Sequence, residues 1–309
     1  MIADQFEGSS FLANVREISR QYGLDKLQET LLCDILGDTT IKIGYIQTGV
    51  NLISQKLSNK RVLLVLDDVD SPDQLRDLIG EKIWFGPGSR ILITTRDEHI
   101  LVAHGAEIYK VNELNYNDAL QLFSWNAFQK PSPTIDYQAM SFWFTMYAKG
   151  LPLALIILGS FLNGKSMDEW SRACDRLRAI SKSPVDGILR ISFDGLGDHE
   201  KAIFLDVACF LEVEDKDYVM KMLNRCQFYT DSGIEILAQK SLVYIEANKI
   251  WMHDLLQKMG QEIVRLESPE NPGKRSRLWY HEDVLKVVRE NSVSSYLKKL
   301  HFLSLLREK

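Results

Sequence analysis

The sequence predicts an α/β domain, followed by an all-α domain and a winged-helix module. Three observations predict this. Short apolar runs alternate with helically spaced segments through residues 1–111, the pattern of a doubly wound parallel sheet. From residue 112 the apolar positions recur mainly at helical spacing. Between residues 184 and 265 helices give way to two short strands around a turn, the layout of a winged helix. A chain of 309 residues has room for two or three such domains and a sizeable core.

In chain order, SFLANV (10–15) reads as a strand, and GLDKLQETLLCDIL (23–36) as a helix with Leu24, Leu27, Leu31 and Ile35 on one face. RVLLVLDDVD (61–70) is a continuous apolar run ending in acids, which suits a strand buried on both faces. SPDQLRDLIG is a capped helix stopping at Gly80, and GSRILITTRD is a second buried strand. EHILVAHG reads as a helix and EIYKV as a further strand. In NYNDALQLFSWNAF, Ala119, Leu122, Phe123 and Ala127 share a helical face, and Pro131 and Pro133 mark a loop. A Leu-rich helix (151–162) and DEWSRACDRLRAI (168–180) follow. SLVYI (241–245) and KIWM (249–252) flank the turn Glu246, Ala247 and Asn248, before the helix DLLQKMGQEIVRL. ESPENPGKRSR is a polar loop, and YLKKLHFLSLL carries Leu297, Leu300, Leu303, Leu305 and Leu306, too little to establish a repeat.

Bulk properties exclude several classes. The net charge of −5 does not call for nucleic acid or an anionic membrane. The longest apolar run, 151–162, is too short for a bilayer, which needs about 20 residues. The N-terminus lacks the layout of a signal peptide. Cys33, Cys174, Cys209 and Cys226 form no C-x-x-C pair and read as buried free thiols of a reducing compartment. His281 and His301 have no metal-like partners.

GSFLNGKS (159–166) fits G-x-x-x-x-G-K-[ST] letter for letter, but a phosphate loop needs a strand before it and small residues within it. Here Pro152 suits a first helical turn, and Leu151, Leu155, Leu158 and Leu162 mark one helical face. Asn163–Gly164 reads as a helix stop and Ser166-x-x-Glu169 as a capping box. The segment is therefore expected to be a helix end, a turn and a new helix start. LLVLDD is the better chemical site: its strand lifts Asp67 and Asp68 to the top of the sheet, where a carboxylate can hold Mg²⁺ or polarise water. Acids at strand ends also simply cap helices. Arg96, ending ILITTR, could sense a terminal phosphate or be a solvated surface arginine. In GLPLAL, Pro152 could simply start a helix. In MHD, His253 could be a core histidine under the hairpin.

Taken in order, FEGSSFLANVRE, KRVLLVLDDVD, GSRILITTRDEHIL, YKVNELNYNDALQLFSWNAF, YAKGLPLAL, DHEKAIFLDVACF and WMHDLLQKMGQEIVR resemble the NB-ARC nucleotide-binding switch of plant intracellular immune receptors. Asp70, where related motifs carry Trp, points to the class with an N-terminal TIR domain. ESPENPGKRSRLW resembles the connector toward leucine-rich repeats. The resemblance implies a partial P-loop NTPase sheet (1–111), a small helical domain (112–183), a winged-helix domain (184–290) and the start of a leucine-rich region (291–309). It implies ADP or ATP with Mg²⁺ as ligand: Asp67 on the metal, Asp68 as the catalytic-type acid, Arg96 at the γ-phosphate, Pro152 and Leu153 near the adenine. His253 would contact the β-phosphate of ADP and lock the resting state, with Asp254 supporting it.

In the family the P-loop and its strand lie just upstream of the residues matching MIADQF, and that strand sits beside LLVLDD. The resemblance thus implies a chain impaired in nucleotide binding, with apolar strand edges left open and a tendency to self-associate. SFWFTMYAKG (141–150) is more aromatic than the family pattern. The function implied is an ADP/ATP-controlled switch in disease-resistance signalling, with slow ATPase activity at most. The alternatives are a nucleotide-free regulatory fragment pairing with full-length receptors and a winged-helix DNA-binding regulator. The acidic balance and the lack of a basic recognition helix stand against the last. Expected partners are other immune-receptor chains or the receptor's own further domains, with nucleotide weakly bound or unbound and no membrane. The expected location is the cytoplasm or nucleus.

Overall fold

The computed structural model describes residues 2–80, 84–180, 184–212, 214–224, 230–290 and 299–300. The chain divides into two compact units, 1–111 and 112–309.

In the first unit, β1 (Gly8–Leu12), β2 (Val62–Val69) and β3 (Arg90–Thr95) form a parallel sheet in the order β1-β2-β3. Strand β1 ends earlier than the expected 10–15 span. Asn14 turns the chain in left-handed backbone, φ 50°, and the fully buried Val15 opens a helix instead. The helices are α1 (Val15–Tyr22), α2 (Leu24–Leu36), α3 (Ile46–Leu57), α4 (Pro72–Ile79) and α5 (Glu98–Ala103). Helix α4 starts with a complete capping box between Ser71 and Gln74 and stops at Gly80, as its sequence predicts. Leu12, Leu64 and Leu66 pack from one sheet face into a core with Leu27, Leu31, Ile53, Leu57, Leu75 and Leu78.

The opposite sheet face corrects the doubly wound expectation. Phe11, Val65 and Leu92 lie in register across the three strands, yet Phe11 is 62% and Leu92 54% exposed. Among the described residues the helices cover one face only. An unbroken apolar run cannot reveal which alternate side chains a helix will cover, so β2 and β3 read as more buried than they are. Strand β2 has no open edge, because β1 borders it on one side and β3 on the other, while the apolar β3 is itself an outer strand of this sheet. A sheet face lies open as well. The expected EIYKV strand does not form; Ile108, Tyr109 and Val111 are exposed. Strand propensity becomes a strand only where a neighbouring ladder pairs with it.

The second unit starts with α6 (Tyr116–Phe128), α7 (Gln138–Tyr147), α8 (Pro152–Leu162) and α9 (Met167–Ile180). Helix α8 is apolar all round, and Gly159 lets it lie directly on α6. A Cβ there would meet Asn126 Cβ at 2.6 Å and the Phe123 carbonyl oxygen at 2.7 Å. Trp170 fills the centre, with the rings of Phe123 and Phe144 5.9 and 5.6 Å away, and its indole N–H donates to the Leu162 carbonyl.

Then follow α10 (Pro184–Asp194), α11 (Asp198–Asp206), a π-helical turn (Val207–Leu211), α12 (Lys216–Asn224) and α13 (Thr230–Gln239). The hairpin β4 (Tyr244–Glu246) and β5 (Lys249–Trp251) is shorter than expected. Its turn is the pair Ala247 and Asn248, both left-handed at φ 48° and 61°, which matches the twist of the strands. Glu246 belongs to the strand. Helix α14 (Asp254–Glu267), β6 (Arg277–Leu278), α15 (His281–Arg289) and β7 (Lys299–Leu300) complete the unit, with β6 and β7 paired in parallel. Apart from that pair, the expected leucine-rich stretch 291–309 lies outside the described residues, as does Cys226. Cys174 and Cys209 are buried free thiols; Cys33 is only half-buried. No helix among the described residues is long and apolar enough to cross a membrane.

Candidate functional site

The carboxyl end of β2 is where an open parallel sheet places ligands, and the two acids there are treated differently. Pairing with β3 runs in step to Leu66, then slips before resuming at Val69 and Thr95. Asp68 sits in that slip with φ 58°. A non-glycine residue there costs about 1 kcal/mol, and such strain clusters at functional positions. One hydroxyl from β3 fixes the geometry. Thr94 Oγ1 accepts from the Asp68 N–H and donates to Asp67 Oδ1, each at 2.8 Å.

Asp68 is half-buried between two arginines. Arg16 Nη2, from α1, is 2.9 Å from Oδ2; Arg96 Nη2, just past β3, is 3.5 Å from Oδ1. The next acid belongs to the same lattice, since Arg20 Nη2 reaches Asp70 Oδ2 at 2.5 Å and Gln74 ties Asp70 to Ser19 of α1. The structure thus brings together Asp67, Asp68 and Arg96. It adds Thr94, and it adds Arg16, which no sequence signal singled out. The only hint was the placement of Arg16 and Arg20 one turn apart on a helix that follows a strand.

GSFLNGKS is not a phosphate loop. Its first glycine serves the crossing of α6 and α8, and Gly164, at φ 70°, follows the end of α8. The Lys165 ammonium lies 3.1 Å from the centre of the Phe161 ring. Burial, with Lys240 and Arg176 nearby, pushes its amine down to about 8, while the ring face favours the ammonium. The Ser166 N–H and hydroxyl both donate to Glu169 Oε2 at 2.9 Å, and the Glu169 N–H returns to Ser166 Oγ. Every position of the pattern has a helix-packing or capping task.

In the second unit, Gly150 (φ 70°) turns the chain tightly beside Glu113 and Leu114. The Leu114 N–H donates to its carbonyl at 3.0 Å, and a Cβ would collide with the Leu114 carbonyl oxygen. Pro152 then occupies the first turn of α8, exposed, with Leu153 half-buried against the helical core. His253 is exposed, not a core histidine; its Nδ1 accepts from the Leu255 N–H at 3.1 Å and caps α14, with Asp254 next in the first turn.

Sequence reading also missed a buried ion pair. Asp206 is fully buried, and Arg277 Nε donates to its Oδ1 at 2.7 Å while Arg277 Nη2 donates to the Ala202 carbonyl at 2.9 Å. Arg275 likewise donates to the Ser268 and Pro269 carbonyls and to Asp283. Both arginines had been assigned to a polar loop, because nothing local marks an arginine as buried.

Residues 2–133 match the NB-ARC domain, and residues 197–268 match the winged-helix domain of Roq1-like disease resistance proteins. The chain carries an NB-ARC domain and a Roq1-like winged-helix domain. It is 42% identical over 306 residues to disease resistance protein RUN1 of Vitis rotundifolia, covering 98% of this chain and 23% of that one. With the TMV resistance protein N of Nicotiana glutinosa it shares 40% identity over 311 residues, covering 96% and 26% respectively. With disease resistance protein RPP4 of Arabidopsis thaliana the figures are 38% over 267 residues, 86% and 22%. The chain therefore spans about a quarter of the length of these relatives. Among solved structures, a signal transduction ATPase with a tetratricopeptide repeat sensor from Pyrococcus horikoshii aligns at a TM-score of 0.49 and 15% identity, covering 91% of this chain and 39% of that one. That likeness is too distant to bear on function.

The NB-ARC residues fit Mg²⁺ in part. A hard cation that keeps several waters needs only one or two protein carboxylates beside substrate phosphates. Asp67, oriented by Thr94, supplies one such oxygen donor set at the strand end. No group of three or more His, Cys, Asp or Glu among the described residues could hold a metal without such a ligand. GSFLNGKS does not fit a phosphate group at all.

Proposed function

We propose that this chain is the nucleotide-switch region of a plant disease-resistance receptor, acting in defence signalling rather than in turnover of a substrate. The observation that carries this reading is the joint placement of Asp67, Asp68, Thr94 and Arg96 at the carboxyl ends of β2 and β3, within the span that matches NB-ARC. Asp67 would hold Mg²⁺, which when bound to ADP or ATP neutralises phosphate charge. Asp68 would polarise a water, and Arg96 would pair with a terminal phosphate. Pro152 and Leu153 would face the base. His253, already fixed by its cap on α14, would donate from Nε2 to a phosphate oxygen, with Asp254 beside it. ATPase activity would be slow at most.

Calorimetric titration of ADP with Mg²⁺ tests the reading. This sequence holds one G-x-x-x-x-G-K-[ST] match, and that match is a helix–turn–helix. A phosphate loop supplies several charge-assisted bonds of roughly 1.5–3 kcal/mol each, against about 8 kcal/mol for micromolar affinity. The expected result is binding much weaker than micromolar, lost with Asp67→Asn or Arg96→Gln. Titration isotherms unaffected by both substitutions would refute the site. A nucleotide-free regulatory role remains the second reading, favoured by the helical fate of GSFLNGKS, and complete absence of heat at millimolar ADP would select it.

A further inference from the structure

The two arginines on Asp68 differ in kind. Arg16 is 14% exposed and makes the closer contact, from a helix anchored by the fully buried Val15. Arg96 is 52% exposed and stands at 3.5 Å. The two contacts on this one carboxylate thus differ in exposure and in distance. The backbone N–H of Asp68 is held by Thr94, and the left-handed turn fixes where its side chain leaves the strand. Asp68 therefore has a standing counter-charge on Oδ2 and an exchangeable one on Oδ1.

We propose that Arg16 is a positioning residue of the phosphate site: it holds and neutralises Asp68, so that Arg96, the longer and more exposed contact on the same carboxylate, can exchange it for a phosphate. Resting on the nucleotide reading, this adds a residue and an order of events. When an anion draws Arg96 away, the Arg16–Asp68 pair remains neutral and half-buried. Without Arg16, the departure of Arg96 would leave Asp68 an uncompensated, largely desolvated charge, which is strongly disfavoured. Arg96 would then stay on Asp68, and the anion would lose its partner. A guanidinium suits the standing role, because its planar fork keeps its charge at every working pH. The neighbouring Arg20–Asp70 contact repeats the arrangement one helical turn along α1.

The test uses the full chain and inorganic pyrophosphate as probe, with the Nε–Hε resonances of Arg16 and Arg96 followed by NMR. The expected result is that pyrophosphate shifts the Arg96 signal and leaves that of Arg16 in place. Arg16→Gln should raise the midpoint about tenfold or more, Arg16→Lys should restore it to within about threefold, and Arg96→Gln should abolish the response. A ligand-free double-mutant cycle in urea provides a second measurement, with substitutions at Asp68 combined with each arginine. The Arg16–Asp68 coupling should change the unfolding constant by about tenfold, and the Arg96–Asp68 coupling by less than about twofold. The inference is overturned if Arg16 shifts together with Arg96, if Arg16→Gln leaves the midpoint unchanged, if no signal moves, or if the two couplings are equal. Should pyrophosphate displace Arg96 while ADP gives no binding heat, the inference stands and the nucleotide reading fails.

Discussion

At the scale of single residues, the decoy motif and the buried ion pair give opposite lessons about charge. Glu169 carries a carboxylate whose titration is lowered below its ordinary value, first by the Ser166 backbone N–H and then by the Ser166 hydroxyl. A lowered folded value means this contribution is fully present above the unfolded carboxylate's titration, near 4.5, and is lost as pH falls through the folded value. Glu169→Gln should therefore flatten part of the acid-side decline of the melting temperature, measured by circular dichroism across an acid pH series. Ser166→Ala should cost about 1 kcal/mol in urea unfolding through loss of the cap. Asp206 is fully buried against Arg277. Asp206→Ala or Arg277→Ala should each cost about 3–5 kcal/mol, since each leaves a buried partner uncompensated. Removing both together with Asp206→Leu and Arg277→Met should cost clearly less than the sum. Additive losses in urea titrations would show that the two do not act as a pair.

At the scale of elements, two close helix contacts depend on glycine. Gly159 admits α6 against α8, and Gly260 admits α14 against the π-helical turn, where a Cβ would meet Ala208 Cβ at 2.6 Å. Gln261 adds to that second contact by donating to the Ala208 carbonyl, in the last turn before the helix ends, at 3.1 Å. Gly159→Val should destabilise by about 1–3 kcal/mol through overpacking, and Gln261→Leu by about 1–3 kcal/mol through an unpaired carbonyl. Chemical denaturation checks both, and a Gly159→Val variant as stable as the parent would mean the α6–α8 crossing relaxes freely. Helix caps and stops such as Ser71, Gly80 and Ser166 were legible because capping depends on residues within four positions of each other. The buried Arg277 was not legible, because its partners Asp206 and Ala202 lie some seventy residues away in sequence.

At the scale of the whole molecule, the uncovered sheet face of the first unit sets the expected solution behaviour. Phe11 and Leu92 present apolar area that a monomer in water would leave wet. The chain should self-associate at micromolar concentration, and Phe11→Ser combined with Leu92→Thr should shift it toward monomer without lowering its melting temperature. Size-exclusion chromatography with light scattering checks this, and a sharp monomer peak for the unsubstituted chain would contradict it. The substitutions avoid the opposite face, where Leu12, Leu64 and Leu66 form the core.

Sequence alone determined what is local. Helices such as 24–36 and 72–79, the capping boxes, the hairpin, the helical fate of GSFLNGKS and the candidacy of Asp67, Asp68 and Arg96 all follow from side-chain period, turn chemistry and residue type over short spans. Ordered motifs added the family likeness. Only the tertiary structure decided which sheet face is covered, that EIYKV finds no ladder, that Arg16 joins Arg96 on Asp68, and that Arg277 is buried on Asp206. The physical reason is common to all four. Burial, strand pairing and ion pairing are properties of two segments brought together across long stretches of chain, and neither segment carries the identity of its partner.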